Sequence, residues 1–219
     1  MVEFYQKLKY WKQISIIKTL CFNIRLGYLK NKQLIIYPKS KISISKTAHI
    51  NLGNGHLVLN YSHFGKKGRT NFCQLILGQN SRLSLEKDNF SLCSGSSITI
   101  RDNAELIIKG KGFINTNSII DCYSKIEIGY ETIIAFNVTI TDSDTHYILK
   151  KGVKGEKTKQ IIIGNHVWIG MNSIILKGVE IGDNAVIAAN TVVTKNVPPN
   201  SLFGGNPGKV IEEQINWEF

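Results

Sequence analysis

One segment of the sequence combines side chains that can move a proton, and it lies between Ile140 and Ile163. It reads TDSDTHYILKKGVKGEKTKQII, with Asp142, Asp144 and His146 near its start and five lysines after them. A neutral imidazole, whose ordinary pKa is about 6.5, can accept the proton of a hydroxyl group near neutral pH. These residues allow general-base chemistry, and the alternative is that His146 is an exposed loop histidine without a role.

The two aspartates alternate with His146 along the chain. Either carboxylate can orient an imidazole or accept a hydrogen bond from an acceptor molecule. The alternative is that both residues only keep the segment soluble. Because loops that interrupt a regular fold commonly protrude and carry function, we expect residues 141–162 to form a protruding loop.

A six-residue repeat follows this loop and predicts the elements that position it. Neither a helix, with its period of 3.6, nor an alternating strand, with its period of 2, has this spacing. The repeated aliphatic positions are Ile163, Ile169, Ile175, Ile181, Ile187 and Val193. The small or β-branched residues four positions later are Val167, Ser173, Val179, Ala185, Thr191 and Val197.

The residue before each small position predicts a tight corner. These corner residues are His166, Asn172, Gly178, Asn184, Asn190 and Asn196. Asn and Gly tolerate a left-handed backbone more readily than most residues do. Short strands joined by such corners predict triangular coils, each of three repeats, stacked at the usual strand spacing of about 4.8 Å.

The pattern [LIV]-[GAED]-x-x-[STAV]-x resembles that of the hexapeptide-repeat acyltransferase family, most strongly over residues 126–210. The resemblance implies an all-β protein whose fold is a left-handed parallel β-helix. Looser versions of the motif occur upstream, for example at Ile98, Ile100, Ala104 and Leu106. Because their spacing is irregular, we expect distorted coils in that part of the chain.

The repeat divides the chain into three parts. Residues 33–210 are predicted to form the β-helix domain, with irregular coils at 36–125 and regular coils at 126–197. Residues 1–32 lack the repeat and are predicted to form a helical segment. Residues 211–219 are a C-terminal tail.

The N-terminal segment has the pattern of a basic amphipathic helix. Its apolar residues recur every three to four positions and are interleaved with Lys and Arg: Phe4, Leu8, Trp11, Ile14, Ile17, Leu20 and Ile24. A helix of this kind can cover the open end of the first coil, since solenoids need capped ends. The alternative is that it lies against an anionic membrane surface.

The segment that ends the repeats, VPPNSLFGGNPGKVI from Val197 to Ile211, resembles the closing motif V-P-P-N-x-x-x-x-G-x-P-[AGC]-[KR]-x-I of the same family. Prolines cannot donate to a strand ladder, so the regular coil is predicted to stop there. The chain looks most similar to capsule and lipopolysaccharide O-acetyltransferases and to galactoside and maltose acetyltransferases. This resemblance implies an enzyme that uses acetyl-CoA as acyl donor and acetylates a hydroxyl group of a cell-surface glycan or its precursor.

The resemblance also assigns roles to residues. It implies that His146 is the catalytic base, that the acceptor oxygen attacks the thioester directly, and that a backbone N–H near Gly170 or Met171 stabilises the oxyanion. Trp168 matches the family motif V-W-I-G and is expected to line the active site. The alternative for this outward-facing Trp168 is a role as an anchor of a subunit contact.

The family's substrate contacts fall on further positions. Asn115 and Asn117 lie where galactoside-type relatives bind the acceptor with an asparagine, although both residues also suit turns. The positions expected to bind acetyl-CoA are Gly170, Met171, Ala189, Thr194, Lys195 and Lys209. We expect small residues to admit the pantetheine arm and lysines to pair with phosphates. No metal is expected.

Outward apolar residues predict an assembly. Trp168 and Val186 are expected to share one face, and Ile174 and Val192 another, because each pair is eighteen residues apart. Apolar residues outside a solenoid suggest a subunit interface. The resemblance implies a homotrimer with its active sites between subunits.

The formal net charge of +11 favours anionic partners. Nucleic acid is not expected, because no recognised binding module or aromatic platform accompanies the charge. The absence of a secretory signal pattern or membrane-spanning segment predicts a cytoplasmic protein, with peripheral contact at the inner face of the plasma membrane as an option.

Three alternatives stay open. The first is acetyl transfer to another small acceptor, such as an amino sugar, serine or an antibiotic. The second is a zinc carbonic anhydrase of the same fold, although the residue five positions after His166 is Met171 rather than the histidine that this family requires. The third is a non-enzymatic scaffold.

Overall fold

The computed structural model describes residues 14–28, 34–62 and 71–218. Within these residues, helix α1 (Ile16–Arg25) is followed by strands that belong in turn to three sheets, whose strands are parallel except for the final pair. Each circuit contributes one strand to each sheet, so the sheets form the three faces of a triangular β-helix.

The three faces are named A, B and C in the order in which the chain visits them. Face A contains β1 (Leu34–Ile36), β4 (Leu57–Tyr61), β7 (Phe90–Cys93), β10 (Gly112–Ile114), β13 (Ile133–Ile134), β18 (Trp168–Ile169), β21 (Val186–Ile187), β23 (Ser201–Gly205) and β24 (Gly208–Glu213). Face B contains β2 (Ser40–Ile44), β5 (Cys73–Leu77), β8 (Ser97–Ile100), β11 (Ile119–Cys122), β14 (Thr139–Thr141), β19 (Ile174–Ile175) and β22 (Val192–Val193). Face C contains β3 (His49–Asn51), β6 (Arg82–Leu85), β9 (Glu105–Ile108), β12 (Lys125–Ile128), β17 (Ile161–Ile163) and β20 (Glu180–Ile181). A hairpin outside the faces is formed by β15 (Leu149–Lys150) and β16 (Val153–Lys154).

One core runs the length of the β-helix. Side chains alternate along each strand, so every second residue points inward and is removed from water, which is the main favourable contribution to folding. The six repeated aliphatic positions are all buried, and so are the small or β-branched positions, from Val167 through Ser173 to Val197. The prediction of inward and corner-adjacent positions is confirmed.

The corners adopt the left-handed backbone that their residue types predict. Asn172, Asn184 and Asn190 have φ between 58° and 60°, and Gly178 has φ 79°. His166, with φ 53°, occupies the same kind of corner. Asn is the commonest residue there because its short polar side chain tolerates this conformation at modest cost.

Asn196 is the exception, and the prediction for it was wrong. It does not take a positive φ; Asn200 does, with φ 53°. The side chain of Asn196 instead accepts a hydrogen bond from the backbone N–H of Glu180 at 2.9 Å. The prolines that follow at 198 and 199 have a fixed φ and lack the N–H donor, and the corner falls after them.

Coil length varies along the chain: Leu34 pairs with Leu57, a spacing of 23 residues, and Ile133 pairs with Trp168, a spacing of 35 residues that includes the loop of His146. Ser40 pairs with Cys73, a spacing of 33 residues, whereas Ile169 pairs with Ile187, a spacing of 18 residues. The paired strands of the three faces are parallel except for β23 and β24, which are antiparallel. The N-terminal coils are irregular in length, and a register shift between Leu59 and Tyr61 interrupts the pairing of β4 with β7.

Helix α1 caps the first coil through polar side chains. The amide of Asn23 donates to the carbonyl of Leu34 at 2.8 Å and accepts from its N–H at 3.1 Å. The hydroxyl of Thr19 accepts from the N–H of Ile36 at 3.1 Å. An edge strand has unpaired backbone groups, and these side chains take the place of a preceding strand.

The apolar stripe predicted for the N-terminal helix does not face the β-helix. Ile17, Leu20 and Ile24 are 78%, 53% and 51% exposed. The end of the β-helix requires hydrogen-bond partners for β1, and the polar face of α1 supplies them. The earlier members of the predicted stripe, up to Trp11, lie outside the described residues.

Candidate active site

The loop that carries His146 leaves the β-helix at the corner between faces B and C. It begins after β14 on face B and ends before β17 on face C. Beyond its base, the hairpin β15–β16 extends the loop, and Tyr147, Ile148 and Val153 near its tip are 52%, 61% and 70% exposed. The predicted protrusion at this position is confirmed.

Asp142 is buried under the root of this loop. Its Oδ1 accepts a hydrogen bond from the N–H of Tyr123 at 2.7 Å, and its Oδ2 accepts from Ser124 and Lys125, both at 2.8 Å. Burial raises the pKa of the Asp142 carboxyl, and the three N–H donors oppose that shift because they stabilise the ionised form. With no exposed surface, Asp142 cannot contact an acceptor, so the structure corrects that expectation.

Asp144 joins the loop to the following coil. Its carboxylate forms an ion pair with Lys177 at 2.8 Å, and its N–H donates to the carbonyl of Lys157 at 2.9 Å. Lys177 also donates to the carbonyl of Glu156 in the returning part of the loop. Asp144 therefore holds the base of the loop rather than the imidazole of His146.

His146 is exposed next to this anchored base. Its Nδ1 lies 2.9 Å from the hydroxyl oxygen of Thr145, which in turn donates to the carbonyl of Asp144 at 2.6 Å. The imidazole is thus oriented by its immediate neighbour in the chain.

A groove of about 550 Å³ opens on face A near its border with face B. Trp168, which is 43% exposed, forms one wall of this face A groove. Of the residues predicted to contact substrates, five line it: Asn115, Trp168, Gly170, Met171 and Ala189. The remaining lining is mostly apolar, including Phe113, Ile133 and Leu202.

The other predicted contacts lie elsewhere. Asn117 has φ 61° and occupies a corner, where its side-chain oxygen accepts from the amide of Asn71 at 3.2 Å. Thr194 and Lys195 are exposed after β22 on face B, and Lys209 is exposed on β24. One chain alone does not bring these residues to the groove.

His146 and the groove are at different corners of the β-helix. The loop of His146 leaves the β-helix between faces B and C, whereas the groove beside Trp168 lies on face A near its border with face B. His146 is not among the residues that line the groove of its own chain.

The C-terminal tail contributes a residue that the sequence did not indicate. The indole ring of Trp217 stacks on the imidazole ring of His166, with 4.1 Å between the ring centroids. The Nε1–H of Trp217 donates to the backbone carbonyl of His166 at 2.8 Å. The centroid of the Trp168 ring is 6.1 Å from that of the Trp217 ring. His166 is thus a corner residue covered by the tail, and no repeat pattern in the tail predicts this contact.

Two classes of feature are missing from the described part of the chain. Within residues 14–28, 34–62 and 71–218, no three His, Cys, Asp or Glu side chains are grouped in a way that would bind a metal ion. In the same ranges, no helix has the length and apolar character that crossing a bilayer requires.

Repeat and fold together define the class: the chain is a left-handed parallel β-helix built on the hexapeptide repeat, as predicted. Residues 160–195 match the family model described as the hexapeptide repeat of succinyl-transferase. The match falls on the regular coils that carry Trp168, Gly170 and Met171.

Two curated relatives of this chain are named as acetyltransferases. Over 99 residues the chain is 46% identical to the galactoside O-acetyltransferase of Escherichia coli (strain K12). This match covers 44% of this chain and 47% of the relative. Over 87 residues the chain is 42% identical to a putative acetyltransferase of Bacillus subtilis (strain 168). That match covers 40% of this chain and 47% of the relative. The chain thus spans about half the length of these curated relatives.

Among solved structures, the polysialic acid O-acetyltransferase OatWY is similar over most of both chains. The match covers 85% of this chain and 90% of that one, with 28% sequence identity and a TM-score of 0.63.

Proposed function

We propose that this protein is an acetyl-CoA-dependent O-acetyltransferase that modifies a hydroxyl group of a cell-surface glycan or its precursor. The observation that carries the proposal is the similarity to the polysialic acid O-acetyltransferase, which extends over nearly the whole of both chains. The apolar groove beside Trp168 suits a pantetheine arm, and the exposed imidazole of His146 suits proton transfer.

The proposed reaction is a direct transfer. Nε2 of His146 accepts the proton of the acceptor hydroxyl as its oxygen attacks the thioester carbonyl carbon. The C–S bond then breaks, and the thiolate of CoA takes the proton back from the imidazolium. The N–H of Gly170 already donates to Ile187 at 2.8 Å, so the N–H of Met171 is the proposed donor to the oxyanion.

Substrate contacts follow from the lining of the groove. Ala189 and Gly170 leave room for the pantetheine arm, and Asn115 is placed to bind the acceptor. Lys195 and Lys209 are exposed and available to the phosphates of CoA.

The proposal is tested by incubating the protein with labelled acetyl-CoA and a panel of acceptors. Glycans and nucleotide sugars are compared with amino sugars, serine and antibiotics, and the products are identified by a mass gain of one acetyl group. If only amino sugars, serine or antibiotics were acetylated, the protein would be an acetyltransferase for another small acceptor. If no acceptor is modified and CoA does not raise the Tm, the scaffold alternative is favoured, because a ligand at 100 times its Kd stabilises a protein by about 2.7 kcal/mol.

We also propose a homotrimer in which the loop of one chain reaches the face A groove of the next. Adjacent outward residues along face A are paired in register and apolar: Phe113 with Ile133, Ile133 with Trp168, Trp168 with Val186, and Val186 with Leu202. An apolar ladder of this kind on a soluble chain is typical of a subunit interface. Because a chain's own loop and groove are at different corners of the β-helix, we propose that a second copy completes each site.

Mixed trimers test this arrangement. His146→Ala removes the base and Ala189→Trp fills the groove, so each variant alone should be nearly inactive. When the two are co-expressed in equal amounts, a quarter of the sites should combine an intact loop with an intact groove, restoring about a quarter of the unmodified activity.

The comparison is made with trimers of each variant mixed only after purification, which should remain inactive if subunits do not exchange. If co-expressed samples that are trimeric by sedimentation recovered no activity, the base and the groove of each site would belong to the same chain.

A peripheral contact with the inner face of an anionic membrane is also part of the proposal. Between Phe4 and Leu85 the sequence has fourteen Lys and Arg and no Asp or Glu, whereas from Glu86 onward acids outnumber bases by fifteen to thirteen. The exposed stripe of Ile17, Leu20 and Ile24 belongs to this acid-free end. Apolar side chains beside unopposed positive charge suit an anionic bilayer better than a soluble polyanion.

The double variant Ile17→Asp with Ile24→Asp should bind phosphatidylglycerol-rich vesicles at least about tenfold more weakly than the unmodified chain in a pelleting assay. The substitutions remove apolar area that the bilayer would bury, and they add negative charge. The control is Lys150→Ala with Lys151→Ala, which changes charge on the distant loop and should bind normally. Equal binding of all three proteins would exclude the membrane contact, and a changed oligomeric state of the double variant would assign the stripe to a contact between chains.

A further inference from the structure

Thr145, which immediately precedes His146, has an unusual backbone conformation. Its φ is 61°, and among the non-glycine residues with positive φ in the described ranges it is the only β-branched one. This conformation is unfavourable for such side chains, and residues held in it are found disproportionately at functional sites.

The surrounding loop holds Thr145 in place. Its N–H donates to the hydroxyl oxygen of Ser143 at 3.0 Å. The preceding residue, Asp144, is held by two contacts. Its N–H donates a hydrogen bond to the carbonyl of Lys157, and its carboxylate forms an ion pair with Lys177. The conformation of Thr145 is therefore imposed by the base of the loop.

The hydrogen bonds of Thr145 determine where the proton of His146 lies. The hydroxyl of Thr145 has one hydrogen, and it donates that hydrogen to the carbonyl of Asp144, which can only accept. The contact of 2.9 Å between this hydroxyl oxygen and Nδ1 of His146 then requires Nδ1 to be the donor. In a neutral imidazole with its hydrogen on Nδ1, Nε2 carries the free lone pair.

We infer that Thr145 is a positioning residue that holds His146 in the tautomer with a basic Nε2. The inference rests on the proposed role of His146 as the base. When Nε2 accepts the acceptor's proton, the bond from Nδ1–H to Thr145 is retained and stabilises the imidazolium. A glycine would fit the left-handed backbone without strain, but it would leave the imidazole free to adopt either tautomer.

Three substitutions separate the hydroxyl from the backbone. Thr145→Val keeps the shape but removes the hydroxyl, and we expect kcat to fall about ten- to a hundredfold with the KM for acetyl-CoA unchanged. Thr145→Ser should restore kcat to within about threefold of the unmodified enzyme. Thr145→Gly should also lower kcat although its Tm is equal or higher, because the strain is relieved.

A direct measurement of the tautomer completes the test. In protein labelled with ¹⁵N-histidine at a pH where the imidazole is neutral, the signals of His146 are assigned by their loss in His146→Gln. They should show Nδ1–H in the unmodified chain and a mixture in Thr145→Val. An Nε2–H signal in the unmodified chain, or full kcat in Thr145→Val, would overturn the inference. If His146→Ala kept its activity, the proposed base would be wrong whichever tautomer the spectrum shows.

Discussion

With alanine at position 146, turnover of acetyl-CoA and acceptor should fall by about 10²–10⁴-fold, the usual contribution of a positioned general base. The Kd for acetyl-CoA should stay within about twofold, because the proposed contacts to the pantetheine arm are made by Trp168, Met171 and the rest of the groove rather than by the imidazole. Release of CoA thiol measures the first quantity, and calorimetry in the absence of acceptor measures the second.

His166→Asn is the matched control for this experiment. It removes another imidazole, but it introduces the residue type that occupies the neighbouring corners at Asn172 and Asn184. Turnover of the control should stay within about threefold of the unmodified enzyme. If His146→Ala were as active as His166→Asn, the proton would have to leave the acceptor by another route and the proposed mechanism would fail.

The fold was predictable because the repeat constrains every residue in a similar way. Each six-residue unit needs an aliphatic residue inside, a small residue beside the corner and a residue that tolerates a left-handed backbone. Ile169, Asn172 and Ser173 satisfy these requirements in one unit, and the structure places all three as expected. Repetition makes such local preferences decisive, since agreement across many units excludes other folds.

The ends of the β-helix were less predictable because the repeat does not describe them. The periodicity of Ile17, Leu20 and Ile24 indicated a helix, but it did not show that Asn23 and Thr19 on the other side would bond to β1. Those contacts are set by the unpaired backbone groups of one strand, and a hydrophobic pattern carries no information about them.

The candidate site was predictable in part for a related reason. Trp168, Gly170 and Met171 are close in sequence and within the repeat frame, so their common location in the groove follows from their spacing. The spacing of Asp142 and His146 gives no comparable information, because a loop does not have a fixed period. Nor does the sequence of one chain show that its loop and its groove are at different corners of the β-helix.

Asp142 illustrates the difference between a residue type and its environment. An aspartate two positions from Asp144 and four from His146 resembles part of a catalytic group. In the structure its carboxylate is instead the acceptor for three consecutive backbone N–H groups, from Tyr123 to Lys125. Those groups belong to the turn that starts β12, so one side chain joins the root of the loop to the preceding coil.

The stability of the protein should therefore depend strongly on Asp142. In Asp142→Asn the amide nitrogen must face at least one backbone N–H, and the charge-assisted bonds become neutral, at a cost of about 2–4 kcal/mol. For a chain of this size, thermal unfolding should shift down by about 5–15 °C. Asp144→Asn is the control: its ion pair with Lys177 is partly exposed, so the loss should be below about 1 kcal/mol. Equal Tm values for the two variants would show that the buried carboxylate does not hold the loop to the β-helix.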